Sequence, residues 1–237
     1  MKVRLFEIFT SVEGEGILYG TKTLFVRLAG CPFTCFYCDT KESLPLDSGK
    51  EYNIEEACQL IDSNLKNQTY KVNFTGGDPL IQHEAVAKLA KHVQDKKIPT
   101  YLESSCFDSD KFNHVLPFFD IIKIEFKTKD SQFVDSKHYE RLIENAMNCL
   151  ISSVSSKKTT YIKIVVSSKT ELAEFTNLVS NIFNSVSKNQ INGFIIQPTY
   201  GIEEPSLDLL LNLYDIVFPF YPEVKVVPQL HKFIGAP

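Results

Sequence analysis

Three of the six cysteines lie within eight residues, and this cluster is the stretch of sequence best suited to chemistry. Its spacing is Cys31, three residues, Cys35, two residues and Cys38. A structural zinc site needs four ligands, usually as two separated pairs, and no fourth Cys or His lies nearby. Three thiolates on a [4Fe-4S] cluster would leave one iron with an open coordination position. An open position is what a cluster needs if it is to bind a ligand and react with it.

Two other interpretations of the cysteines stay open on the residues alone. Free cysteines are often buried as small hydrophobes, but three in eight residues between predicted elements make that a poor explanation. Zinc would need a distant fourth ligand, such as one of the five histidines, and the chain would then be a non-catalytic zinc-binding module. The other three cysteines carry no such pattern, since Cys58 and Cys149 lie on predicted apolar helix faces and Cys106 follows a strand.

The elements that must position the cysteines alternate between strands and helices. Apolar runs predict seven strands, at residues 23–28, 71–75, 100–103, 121–126, 160–166, 194–197 and 224–227. Helical spacing of apolar residues predicts six helices, at residues 54–65, 84–96, 111–116, 137–151, 171–183 and 206–217. The alternation indicates βαβ units and an α/β fold with mostly parallel strands. It does not decide between an open sheet and an incomplete barrel.

Several polar residues follow predicted strands, which is where α/β folds carry their chemistry. Cys31, Gly76 and Lys127 each come after a strand, and Glu103 ends one. Because the carboxyl ends of parallel strands meet at one edge of a sheet, we expect these residues to lie close together.

Length and charge exclude several classes of protein. The 237 residues suit one catalytic domain over 1–237, slightly short of a complete eight-unit barrel. A net charge of -4 argues against direct nucleic-acid binding, which normally brings a basic surplus. We expect no membrane association and a reducing, cytoplasmic location, because no apolar run approaches membrane-spanning length and the N-terminus lacks an apolar leader.

The cysteine pattern after one strand, with Gly-Gly after the next, resembles the radical S-adenosylmethionine (radical SAM) superfamily. The resemblance implies a partial (β/α)6-type open barrel. It also implies that Cys31, Cys35 and Cys38 hold a [4Fe-4S] cluster whose open iron binds S-adenosylmethionine. Reductive cleavage of S-adenosylmethionine then yields a 5′-deoxyadenosyl radical, with the electron supplied by an external flavodoxin- or ferredoxin-like donor.

Motifs near both ends of the chain narrow the resemblance to one family within this superfamily. The stretches EIFTSVEGEG (7–16), FVRLAGC (25–31) and QLHKFIGAP (229–237) are similar to the 7-carboxy-7-deazaguanine synthase family. The implied reaction converts 6-carboxy-5,6,7,8-tetrahydropterin into 7-carboxy-7-deazaguanine with loss of ammonia, for queuosine or archaeosine biosynthesis. The resemblance also implies a homodimer, with the terminal segments completing the substrate pocket. A glycyl-radical-enzyme activating enzyme, or another small radical SAM enzyme, is the alternative.

The same resemblance assigns residues to the bound molecules. Besides the cysteines it implies Thr40 as a Mg²⁺ ligand. The implied cofactor contacts are Tyr37, Gly76, Gly77, Asp78, Glu103, Ser105, Glu125, Phe126, Lys127, Gln197, Pro198, Thr199 and Tyr200. The implied substrate contacts are Val12, Glu13, Gly14, Glu15, Arg27, Thr75, His231 and the terminal Pro237, through its α-carboxylate.

Two positions depart from the family pattern. Glu13 stands where the family usually has Gln, and a carboxylate cannot donate a hydrogen bond unless it is protonated. Asp78 stands where the family usually has Glu, so its shorter side chain must lie closer to its partners. Arg27 keeps the family residue, and its guanidinium fork suits a substrate carboxylate.

Overall fold

The structure is a computed structural model that describes residues 1–131 and 136–236. Within that part of the chain one sheet of nine strands is surrounded by helices. The strands are β1 (Lys2–Val12), β2 (Lys22–Leu28), β3 (Lys50–Asn53), β4 (Lys71–Gly76), β5 (Thr100–Ser104), β6 (Ile121–Phe126), β7 (Thr159–Val166), β8 (Gly193–Pro198) and β9 (Lys225–Val226). The helices are α1 (Ile54–Asn64), α2 (His83–Asp95), α3 (Ser109–Val115), α4 (Ser136–Ser155), α5 (Leu172–Ser185), α6 (Leu207–Val217) and α7 (Leu230–Ile234).

The strand order is β3-β1-β2-β4-β5-β6-β7-β8-β9. Every pair from β2 to β9 is parallel, whereas β1 runs antiparallel to both β2 and β3. The sheet ends at β3 and β9 without closing on itself. An unclosed barrel of mostly parallel strands therefore resolves the choice that the sequence pattern left open, and the predicted α/β class is confirmed.

All seven predicted strands and six predicted helices are present, but β1, β3 and α7 were not predicted. A register shift between Leu5 and Glu7 interrupts the apolar alternation of β1. β3 is a four-residue edge strand that needs little apolar character, and the five residues of α7 are too few to establish a helical period.

Local sequence explains where the helices begin. Asn53 caps α1, since its side chain accepts from Glu56 N at 2.9 Å while the Glu56 carboxylate accepts from Asn53 N at 3.0 Å.

On α2, Val86, Leu89 and Val93 are fully buried against the outer face of the sheet. Burial of one such side chain is worth about 1.5–3 kcal/mol, so this apolar face holds the helix in place.

Alternation along each parallel strand divides the core from the barrel lumen. On β6, Ile122 and Ile124 belong to the main hydrophobic core, while Lys123 and Glu125 point to the opposite face and line a cavity. A second apolar cluster closes the lumen toward the amino-terminal ends of the strands. It consists of Tyr101, Ile121, Tyr161, Ile195 and Val227.

Among the described residues, none of the helices combines the length and apolar character needed to cross a membrane.

Candidate functional site

One cavity of about 600 Å³ lies at the carboxyl ends of the strands and gathers most of the predicted site residues. Its lining includes Val12, Glu13, Gly14, Glu15, Arg27, Cys31, Cys35, Tyr37, Cys38, Thr40, Thr75, Gly76, Gly77, Asp78, Glu103, Ser105, Glu125, Lys127, Gln197 and His231. Residues from both ends of the chain therefore meet over the open mouth of the barrel.

Five predicted residues are not part of this lining. Phe126 is fully buried in the main core, because it alternates with Glu125 on β6. Thr199 is buried beside the cavity, where its hydroxyl donates to Glu203 O at 2.9 Å. Pro198 is half-buried, Tyr200 is 48% exposed and contacts the Phe233 ring, and Pro237 lies outside the described residues.

The loop after β2 carries all three clustered thiols to one wall of the cavity. Backbone hydrogen bonds shape the loop, since Cys31 N donates to Leu44 O at 3.0 Å and Cys38 N donates to Cys35 O at 3.1 Å. Burial raises the pKa of Cys31 to about 12 and also raises the pKa of Cys35 and of Cys38. Without a metal these thiols stay protonated, whereas iron would replace the protons.

The donor set fits a [4Fe-4S] cluster better than zinc. In the described ranges no three Cys, His, Asp or Glu side chains are placed around a position for one metal ion. A four-iron cluster spreads its ligands over several iron atoms, and the three thiols that line the cavity would hold such a cluster with one iron left for another ligand.

The Gly-Gly pair at the end of β4 lets two backbones approach closely. Gly76 has a φ of +127°, and a Cβ there would overlap the backbone of Leu28. A Cβ at Gly77 would overlap the carbonyl of Gly30, next to the first cysteine. Both positions therefore need glycine, so that the turn can pack against the cysteine loop.

Asp78 lies at the edge of the cavity and ties three segments together. Its carboxylate accepts from Leu80 N at 2.9 Å, Ser104 Oγ at 2.9 Å and Ser105 N at 2.8 Å. Burial raises the pKa of Asp78, and the hydrogen bonds from Ser105 and Leu80 oppose that effect. The shorter side chain at this position thus organises the strand ends around the cavity.

The floor of the cavity is a row of buried charges, two of which the sequence analysis missed. Glu125 pairs with Lys123 at 2.7 Å, with Lys127, and with Lys163 at 3.5 Å. Burial opposes ionisation of Glu125, but Lys123 and Lys127 outweigh it and hold the pKa of Glu125 well below its usual range. Lys123 lies two residues before the predicted Glu125 on β6, so the alternation of side chains along a strand could have indicated it. Lys163 lies on β7, where no site residue was predicted.

The C-terminal segment is anchored to the N-terminal loop. Leu230 N donates to Gly14 O at 2.8 Å, and Gln229 Nε2 donates to Glu15 Oε1 at 2.6 Å. The other oxygen of Glu15 pairs with Lys163 at 2.6 Å. A Cβ at Gly14 would overlap the ring of His231, so glycine allows α7 to close over this side of the cavity.

Asp39, directly after the last clustered cysteine, holds α7 from the other side. It pairs with Lys232 at 3.2 Å and with His231 at 3.5 Å. Burial opposes ionisation, but the hydrogen bond from His231 and the charge of Lys232 outweigh it and hold the pKa of Asp39 well below its usual range. The cysteine loop and the C-terminal helix are therefore joined through one carboxylate.

Arg27 is held in a fixed orientation at the cavity wall. Its Nε donates to Glu7 at 2.6 Å, its Nη1 donates to Thr40 Oγ1 at 3.3 Å, and its guanidinium lies 5.5 Å from the Phe9 ring centroid. These contacts leave Nη2 available to a ligand carboxylate.

Gln197 supplies an acceptor to the wall near β8. Its Oε1 is buried and accepts no hydrogen bond from the described residues. A buried amide oxygen without a partner is costly, and a ligand N–H, such as that of a nucleoside base, would satisfy it.

Comparison with known proteins gives the same assignment. Residues 12–152 match the family model described as a 4Fe-4S single cluster domain. The 7-carboxy-7-deazaguanine synthase of Archaeoglobus fulgidus is 30% identical over 99% of this chain and 99% of its own length. The crystal structure of QueE from Escherichia coli covers 98% of this chain and 95% of its own, with a TM-score of 0.63 and 17% identity. A radical SAM methyltransferase from Sphaerobacter thermophilus covers 88% of this chain and 66% of its own, with a TM-score of 0.65 and 11% identity.

The unclosed barrel, with three thiols at the carboxyl ends of its strands, defines the class of the protein as a radical SAM enzyme with an iron–sulfur cluster. Within that class the chain belongs to the 7-carboxy-7-deazaguanine synthase family. The zinc-module interpretation does not account for this match over the full length of the chain.

Proposed function

We propose that the protein converts 6-carboxy-5,6,7,8-tetrahydropterin into 7-carboxy-7-deazaguanine with loss of ammonia, as a step in 7-deazapurine biosynthesis. The observation that carries the proposal is a full-length relative named for this product, together with three thiols and a floor of buried charged side chains in one cavity. The whole chain acts as a single catalytic domain, and its two terminal segments complete the pocket.

Cys31, Cys35 and Cys38 hold the cluster, which together with S-adenosylmethionine supplies the radical that starts the reaction. The side chains that surround S-adenosylmethionine are those of the glycine turn, the ends of β5 and β6, and the β8 wall. In that arrangement Gln197 accepts from the adenine side and Glu125 fixes the lysines around the methionine end.

Arg27 and His231 bind the substrate carboxylate, with Glu7 orienting the guanidinium. Glu13 and Glu15 accept from the N–H groups of the pterin edge, and Thr75 and the terminal Pro237 complete the contacts. Closure of α7 over Gly14 excludes water from the substrate side.

Thr40 would hold Mg²⁺ through its hydroxyl oxygen together with substrate oxygens, and Asp39 would act through water. Mg²⁺ accepts few protein oxygens and keeps several waters, which suits one hydroxyl at the cavity rim. The nearby guanidinium of Arg27 would repel the ion unless the substrate carboxylate lies between them.

The active form is a homodimer located in the cytoplasm, and a flavodoxin- or ferredoxin-like protein supplies the electron. Support for a second copy comes from α6, whose outer side exposes the apolar side chains Leu207 and Leu211 and, just beyond its end, Phe218.

The test is anaerobic reconstitution with iron and sulfide, followed by addition of S-adenosylmethionine, a reductant, Mg²⁺ and the carboxylated pterin. We expect 7-carboxy-7-deazaguanine as the product by mass spectrometry, and no product from Cys35→Ala, which should fail to retain the full cluster. Cys58→Ala is the matched control, because Cys58 lies on α1 outside the cavity, and it should keep both iron and activity. A loaded enzyme that leaves the pterin unconsumed contradicts the specific reaction.

A further inference from the structure

One of the two positions at which this chain departs from the family pattern, Glu13, has a buried partner of opposite charge. Glu13 lines the cavity yet is only 2% exposed, and its Oε2 pairs with Lys71 Nζ at 2.7 Å. Lys71 lies on β4 and is completely buried. Sequence analysis gave no role to Lys71, since its neighbours in sequence are ordinary strand residues.

The ammonium of Lys71 does not line the cavity, so it is not placed to contact a ligand. Besides Glu13 it donates to Thr23 Oγ1 at 2.6 Å, and its ammonium lies 5.1 Å from the Tyr101 ring centroid. It is not among the residues that line the cavity. An ammonium this far from water needs compensating partners, and Glu13 is the one that carries charge within hydrogen-bond distance.

Asn73 reinforces the same arrangement. Its Nδ2 donates to Glu13 Oε2 at 3.2 Å and to Glu103 Oε2 at 3.0 Å, so one amide joins the two carboxylates. Glu13 Oε2 thus accepts two donors, whereas no described residue donates to Oε1. Oε1 is therefore the oxygen left for the cavity.

The ionisation state of Glu13 determines whether its carboxyl group can donate a hydrogen bond to a ligand or can only accept one. The charged groups that act on it are Lys71 on β4, Glu103 on β5 and Glu15 on its own loop. The Tyr101 hydroxyl on β5 and the Tyr161 hydroxyl on β7 also face it. Burial and the charge of Glu103 raise the pKa of Glu13 to about 7, and Lys71 opposes this rise. Without Lys71 the carboxyl would keep its proton at neutral pH and would be able to donate.

We propose that Lys71 is a positioning residue that keeps Glu13 as a fixed hydrogen-bond acceptor, so that this enzyme selects a heterocycle edge presenting N–H donors at position 13. This inference rests on the proposed function for the identity of the heterocycle. A pterin edge with its exocyclic amino group meets the requirement. The family's Gln can turn either its oxygen or its NH₂ toward the ligand, whereas Glu13 can only accept once it ionises, which with Lys71 beside it happens as the pH rises through about 7.

The first experiment measures selection without turnover. Binding of the carboxylated pterin is compared with binding of its analogue in which oxygen replaces the 2-amino group. The native protein should prefer the amino compound, and Glu13→Gln/Lys71→Met should reduce that preference at least tenfold, because an amide adapts to either edge. An unchanged preference overturns the proposal.

The second experiment measures the pair itself by urea unfolding. Lys71→Met and Glu13→Gln should each lower the midpoint, because each leaves a buried group without its partner, and the double variant should recover most of the loss. Purely additive losses overturn the positioning role. Lys2→Met is the matched control, since it breaks the exposed pair with Glu51 and should leave the midpoint unchanged.

If Lys71→Met folds, its affinity for the pterin should also increase with pH, but the increase should occur at higher pH than in the native protein. The physical reason is that Glu13 loses its proton later when no ammonium lies beside it. An identical pH profile contradicts the role of Lys71 in ionisation. Native protein that binds neither compound contradicts the proposed function and the selection, whereas the unfolding data still test the pair.

Discussion

At the scale of single residues, the cavity works by restricting long side chains. Arg27 illustrates this, because Glu7, Thr40 and the Phe9 ring together fix a guanidinium that would otherwise sample many rotamers. A fixed fork loses less freedom when it binds a carboxylate.

Arg27→Lys should therefore raise KM for the pterin at least tenfold, with a smaller effect on kcat. A lysine cannot contact Glu7 and a ligand carboxylate in the same bidentate way. Steady-state kinetics of the reconstituted enzyme measure the effect. Arg4→Lys serves as the control, because Arg4 pairs with Glu51 outside the cavity and its replacement should leave KM unchanged. Equal KM values for Arg27→Lys and the native enzyme would remove Arg27 from substrate binding.

At the scale of elements, the short helix α7 depends on its contacts rather than on its own stability. Five residues cannot form a stable helix in isolation, and α7 is held by Gly14, Glu15 and Asp39. The absence of a Cβ at Gly14 is what admits the His231 ring.

Gly14→Ala should displace α7 and expose Lys232, which is now paired with Asp39. We expect faster trypsin cleavage after Lys232 by mass spectrometry, and a several-fold higher KM with normal iron content. Gly201→Ala tests for general destabilisation, because Gly201 has a φ of +74° at which an added Cβ strains the backbone, but that Cβ would have no atom within 4 Å. Slow cleavage in Gly14→Ala, equal to that of the control, would contradict the role of Gly14 in docking the helix.

At the scale of the whole molecule, buried carboxyls make stability depend on pH in opposite directions. Burial and the charge of Glu103 raise the pKa of Glu13 to about 7, above the value of about 4.3 expected in the unfolded chain. Between these values the folded state holds a proton that the unfolded state has lost. The stability that Glu13 contributes is therefore complete below about pH 4.3 and is lost as pH rises through about 7.

Relative to Glu13→Gln/Lys71→Met, the native protein should lose about 3 kcal/mol of unfolding free energy between pH 4.3 and 7. Urea unfolding across this range measures the difference between the two proteins. Glu125 and Asp39, whose pKa values are lowered, act in the other direction at lower pH and are common to both proteins. If the difference in unfolding free energy between the two proteins does not change with pH, the raised pKa of Glu13 is contradicted.

Much of the fold followed from local pattern. Period-two and helical spacings predicted the seven parallel strands and six of the helices, because a strand or helix with one buried face must repeat apolar residues at its own period. The pattern failed for β1, β3 and α7. β1 is interrupted by a register shift, and β3 and α7 are stabilised by pairing and docking rather than by composition.

Residue types and their spacing were enough to find the three-cysteine motif, the terminal motifs and the family they resemble. The unclosed barrel, the hydrogen bonds of Asp78 to the strand ends and the pairing of Lys71 with Glu13 became visible in the folded chain. Positions 13 and 71 are far apart in sequence and carry no shared pattern. They form a 2.7 Å contact because β4 passes beside the N-terminal loop in the folded chain. Both groups are buried there, and either charge would be strongly destabilising without the other.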